Sequence, residues 1–219
     1  MIRQVALIEL AKGVEPQRAA QLERALREAA PKLPGARRTQ LGRHLPGAVG
    51  GGDYTWDAWL DDGVPPLAAW LESEPLRGAL AACGARVDAV RFRPQRAHVA
   101  EPGIRRPVKR TLLFRVFPQT AAERVARFDD DMCRMPDHIH AIRNWAYSRT
   151  DPALHPTPWT HVWEQEYAEL EGLQVDYMMS PYHWGWIDRY YDLESGLRIV
   201  DPRLAHVFYR SDADGSILG

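Results

Sequence analysis

An internal repeat constrains this chain more than any other feature. "IRQVALIEL" at 2–10 alternates apolar and polar residues as a strand does. "PQRAAQLERALREAAPKL" at 16–33 places Ala19, Leu22, Ala25, Leu26 and Ala29 on one helical face, and Pro34-Gly35 ends it. Strand-like "ARRTQLGRHL" at 36–45, the glycine-rich "GAVGGGD" and alternating "YTWDAWLDD" at 54–62 follow. "PPLAAWLESEPLRGALAACG" at 65–84 reads as helix, broken at Pro75, and "ARVDAVRFRPQ" at 85–95 closes the unit as a strand. The order then replays. "VKRTLLFRVF" at 108–117 is a strand, and "TAAERVARFDDDMCRM" at 120–135 is a helix with Thr120 as N-cap and Glu123 as its capping-box partner. "IHAIRNWAYSRT" at 139–150 and "WTHVWEQEYAEL" at 159–170 are strands, "LQVDYMMSPYHWGWIDRYYD" is helical, and "RLAHVFYR" at 203–210 is the last strand.

Each half thus reads β-α-β-β-α-β, the ferredoxin-like unit. Its sheet carries helices on one face and leaves the other bare, so two units in one chain can cover each other. The expected fold class is α+β: two such units packed sheet to sheet as an intramolecular pseudo-dimeric α/β barrel. The expected boundaries are residues 1–99, a polar linker "AEPGIRRP" at 100–107, and residues 108–219. The tandem mimics a homodimer, and further self-association is compatible with it.

Bulk properties exclude several classes. Of the 219 residues, 45% are hydrophobic and 26% charged, enough for a core and against disorder. A formal charge of −1 supplies no field to gather nucleic acid or a membrane surface. The start, "MIRQVALIEL", is too short and too interrupted for a signal peptide, and no apolar run reaches the ~18 residues of a membrane span. Cys83 and Cys133 are far apart without metal-type spacing, which suits a reduced, cytoplasmic protein.

Chemistry-bearing residues gather in the second half. On an extended 159–167, Trp159, His161, Trp163, Gln165 and Tyr167 share one face. On 108–117, Arg110, Leu112, Phe114 and Val116 do so. In "DYMMSPYHWGWIDRYY", Ser180-Pro181 is a helix start with Ser as cap and Pro at the first position. The break lets Tyr177 and His183 converge. It also puts His183 in a first helical turn, where the helix end disfavours an imidazolium, with Trp186 on the same face. "HIH" at 138–140 would place two imidazoles on one strand face if extended, but no third ligand is visible and no metal is expected. The loop at 47–52 lacks a phosphate-binding pattern.

"VKRTLLFRVF", "WTHVWEQEY" and "DYMMSPYHWGW" together resemble the stress-responsive dimeric α/β-barrel proteins in a fused tandem form. Where that family commonly has His-Pro-x-His, this chain has Ser180-Pro181-Tyr182-His183. The second half is similar to the plant polyketide cyclases of the olivetolic acid type, which act without cofactor. The resemblance implies Tyr177 and His183 as the catalytic pair and His161 as a pocket histidine. It sets Arg110 where those enzymes carry a further histidine, which is a departure. It also turns the faces of 108–117 and 159–167 together toward the helices.

The resulting expectation is a cofactor-independent acid–base enzyme of cyclase, isomerase or lyase type. Its substrate is an aromatic or polyketide-like small molecule in a pocket of the C-terminal unit. His183, Tyr177 and His161 are the catalytic candidates. Arg110, Leu112, Phe114, Trp163, Gln165 and Trp186 are the substrate-binding ones. The alternatives are a cofactor-free monooxygenase of a phenolic or quinol substrate and a non-catalytic small-molecule-binding stress-response protein. The first unit lacks the set: Trp56 stands at the His161 position, Trp70 at that of Tyr177 and Arg77 near that of His183. Its expected role is scaffolding.

Overall fold

A computed structural model gives the fold of residues 1–65, 71–73 and 76–219. Trp70 and Pro75 lie outside these described residues. The first unit runs β1 (Ile2–Glu9), α1 (Pro16–Ala29), β2 (Ala36–Arg43), β3 (Tyr54–Leu60), α2 (Leu76–Ala82) and β4 (Arg86–Phe92). The second follows β5 (Arg96–Val99) and runs β6 (Val108–Phe114), α3 (Ala122–Cys133), α4 (Met135–His138), β7 (Asn144–Arg149), β8 (His161–Tyr167) and β9 (Ala205–Arg210). Between β8 and β9 lie two wide-turned π-helical segments, Gly172–Tyr177 and His183–Ile187, then a 3-10 turn, Asp188–Tyr190.

Both sheets are antiparallel. The first has the order β2-β3-β1-β4 and the second β5-β7-β8-β6-β9. Without β5, the second order is that of the first, so each unit is ferredoxin-like. Alternation along each central strand sorts its residues. On β1, Ile2, Ala6 and Ile8 pack toward α1, whose buried residues are Leu22 and Leu26, each worth about 1.5–3 kcal/mol of burial. Val5 and Leu7 point the other way. They meet Val90 and Phe92 of β4 and, from the second sheet, Leu113, Val162, Ala205 and Val207. The two bare faces therefore cover each other.

Charges lie in that seam as well. Arg3 contacts Asp57 at 2.9 Å and Glu164 at 2.6 Å, Lys109 contacts Glu164 at 3.0 Å, and Tyr209 donates to Asp57 at 2.6 Å. All are buried.

Four local expectations are corrected. Helix α3 begins after Ala121 rather than Thr120 and has no side-chain cap, because a turn holds Thr120 N–H on the Phe117 carbonyl at 3.0 Å. Residues 139–143 are not strand. Met135–His138 is a helical turn, His138 stacks on Tyr182 at 4.0 Å, and His138 and His140 share no strand face. Arg96–Val99 forms a strand that the sequence did not announce, paired with β7. The glycine-rich loop is partly regular, since Val49 and His206 exchange backbone hydrogen bonds at 2.8 and 2.9 Å. No helix among the described residues is long and apolar enough to cross a membrane.

Candidate functional site

The site is built on the helix-facing side of β6 and β9 and is roofed by the segment between β8 and β9. Antiparallel register sets Arg110 beside Gln165 on one flank and Phe208 on the other. Two residues on, Leu112 lies opposite His206. Ser180 parts the roof as expected. Helical turns end at Tyr177, a turn follows, and a second helical run starts at Pro181. Wide turns bring Tyr177 and Ile187 inward, both buried.

Between these elements is a cavity of about 230 Å³. Val49, Leu112, Met132, Met178, Ile187 and Leu204 form its apolar wall. Arg110, Tyr177, His183, Asp188, Tyr191 and His206 form the polar one. Val49 comes from the first unit. It is carried by a loop that can approach β9 because Gly50 and Gly51 lack side chains. A Cβ would lie 2.2 Å from the Leu204 carbonyl in one case and 2.3 Å from Val207 in the other.

The rings of Tyr177 and His183 are 4.4 Å apart at 50°. The Arg110 guanidinium lies 4.7 Å from the Tyr177 ring. It donates from Nε to His206 Nε2 at 2.7 Å and from Nη1 to Gln165. His183 Nε2 is 3.6 Å from Asp188 Oδ1, and Nδ1 is buried with no hydrogen-bond partner among the described residues. Burial and the nearby Arg110 charge lower the His183 imidazole to about 4. Burial, Arg110 and His183 lower His206 to about 3. His183 is therefore neutral near pH 7, through desolvation and a cation more than through a helix end. Burial raises Tyr177, against the pull of Arg110, so its hydroxyl keeps its proton. Burial and Asp192 raise Asp188.

Arg110, Leu112, Tyr177 and His183 thus share one cavity. Gln165 sits behind it, holding Arg110. The other expected residues do not line it. His161 is stacked on Phe114 at 5.1 Å and 3.4 Å from Asp129, which also takes hydrogen bonds from Tyr147 and Arg149. Trp163 is wholly buried against Trp145 and Tyr147. Trp186 is 39% exposed, with Arg189 3.7 Å over its ring. His206, Asp188 and Tyr191 were not singled out in the sequence. For His206 a signal existed: alternation along 203–210 puts it on the face of Phe208, and the last strand of a ferredoxin-like unit neighbours the first. Among the described residues, no cluster of His, Cys, Asp and Glu is suited to a metal ion.

Residues 108–202 match the family described as the stress responsive A/B barrel domain. No curated protein matches the chain in sequence. Among solved structures, an anthrone oxidase-like protein superposes with a TM-score of 0.65 at 10% identity, covering 97% of this chain and 92% of that one. A variant of chlorite dismutase from Candidatus Nitrospira defluvii superposes with a TM-score of 0.57 at 8% identity, covering 95% of this chain and 90% of that one. Identities this low establish shared fold alone, but the overlap runs through both units. The part of this chain that matches the stress responsive A/B barrel domain, residues 108–202, thus falls within the second of its two ferredoxin-like units.

Proposed function

We propose that the chain is an acid–base enzyme. It turns over an aromatic or polyketide-like small molecule in the cavity beneath residues 172–190 and uses no bound cofactor. The observation that carries this reading is the convergence of Tyr177 and His183 on one cavity wall. His183, neutral at pH 7, takes a proton from a carbon beside a carbonyl. The electron pair moves onto the carbonyl oxygen, and Tyr177 donates a hydrogen bond to it. No strong acceptor competes for that hydroxyl. Among the described residues it donates to the Met135 sulfur at 4.0 Å, a weak acceptor. The resulting enolate either takes the proton back from His183 at another position, giving an isomer, or attacks a second carbonyl, whose alkoxide takes that proton from His183 as the ring forms. In this scheme His161 supports β8 rather than touching substrate, and the protein works in the cytoplasm.

The test is turnover of aromatic β-keto acids and their thioesters. His183→Ala should cost about 10²–10⁴ in kcat/KM and Tyr177→Phe about 10²-fold or more. Near-native rates in both variants would end the proposal. Cofactor-free oxygenation is the second reading, favoured by the likeness to an anthrone oxidase-like protein. An oxygen electrode separates the two, since only oxygenation consumes oxygen in step with product. Ligand that binds and returns unchanged would mark a non-catalytic binding protein.

A further inference from the structure

We infer that Arg110 makes the cavity an anion receptor, and that its natural ligand carries a carboxylate. This names the substrate class for the acid–base reading above and rests on that reading for where the reacting carbon lies. Arg110 is only 4% exposed, and no carboxylate among the described residues pairs with it. The other deeply buried cations differ. Arg3 and Lys109 are answered by Asp57 and Glu164. Arg91 is filled by the Gln4, Val64 and Pro65 oxygens at 2.7–3.0 Å. Arg110 spends one N–H on His206 and one on Gln165, both neutral, and its guanidinium carbon lies 4.7 Å from the Tyr177 ring. A desolvated guanidinium with spare donors beside an open cavity is a carboxylate site in waiting.

His206 adds a second donor. Its Nε2 accepts from Arg110, so the proton of the neutral ring must sit on Nδ1. That N–H has no acceptor among the described residues, and His206 lines the cavity. Arg110, His206 and Tyr177 thus line one cavity. The single carboxylate in the lining, Asp188, is associated with His183 and not with Arg110.

The probes are 2,4-dihydroxybenzoate and the isosteric 2,4-dihydroxybenzamide, titrated into the full chain by calorimetry. The acid should bind about ten- to a hundredfold more tightly than the amide. In Arg110→Gln the ratio should fall to near one, while Arg110→Lys keeps part of it. Equal affinities in the native protein, a ratio that survives in Arg110→Gln, or no binding of either probe at millimolar concentration would each overturn the inference. The native comparison needs no variant to fold. His183→Ala distinguishes this inference from the acid–base reading. If it keeps the carboxylate preference but also keeps turnover, the receptor stands and the catalytic reading fails. If it loses turnover while the native protein shows no preference, the reverse holds.

Discussion

At the scale of single residues, the site concentrates one fixed positive charge between two imidazoles that burial keeps neutral. His183 sits at about 4 and His206 at about 3, against an ordinary 6.5. Two pH dependences follow. For activity, kcat/KM should be flat near neutrality and fall as pH drops through about 4, where His183 takes up a proton. For stability, both groups are depressed on folding, so the unfolded chain binds more protons below 6.5. Their contribution is complete above that value and is lost as pH falls toward 3–4. Each fully differential proton adds a slope of about 1.4 kcal/mol per pH unit. Urea denaturation of native protein and His206→Gln across this range should show a shallower acid loss in the variant.

At the scale of elements, legibility tracked how local the information was. Alternation on 161–167 and 108–114 identified both strands and the faces they turn to the helices. Position along a strand was harder to read. His161 is on the right face but pairs with Phe114, whereas Arg110 pairs with Gln165. Four residues of strand separate the two levels by about 13 Å, so the histidine is beside Asp129 and not beside Tyr177. Ser180-Pro181 announced a break between helical segments. The π-type turns that steer Tyr177 and Ile187 inward depend on what they pack against, and no residue pattern marked them. β5 has four mostly exposed residues and gave no period to detect. The glycine-rich loop looked unstructured because its partner, β9, is more than 150 residues away. Its fit predicts the outcome of Gly50→Ala. A left-handed φ of 74° and a carbonyl 2.2 Å from the new Cβ should cost roughly 1–3 kcal/mol. The same change should loosen Val49 from the cavity mouth, seen as weakened ligand binding at unchanged pH profile.

At the scale of the whole molecule, the seam between the sheets holds a buried cluster in which two cations meet two carboxylates, one of each from either unit. Arg3 and Asp57 belong to the first unit, Lys109 and Glu164 to the second, and the Arg3–Glu164 contact at 2.6 Å crosses the seam. Burial alone would raise Glu164, but Arg3 and Lys109 hold it below the ordinary carboxylate range. Removing one partner strands the rest away from water. Glu164→Gln should therefore lose about 3–5 kcal/mol in urea denaturation, little altered by added salt because the seam is shielded from it. In a symmetric homodimer, the loop of each subunit would close the partner's pocket, and every substitution in it would be felt twice. Here a single such loop, residues 44–52, brings Val49 to the cavity that Tyr177 and His183 line. The first unit can therefore vary the mouth of the cavity, and hence the size of molecule admitted, while Tyr177 and His183, on which the proposed chemistry rests, stay untouched.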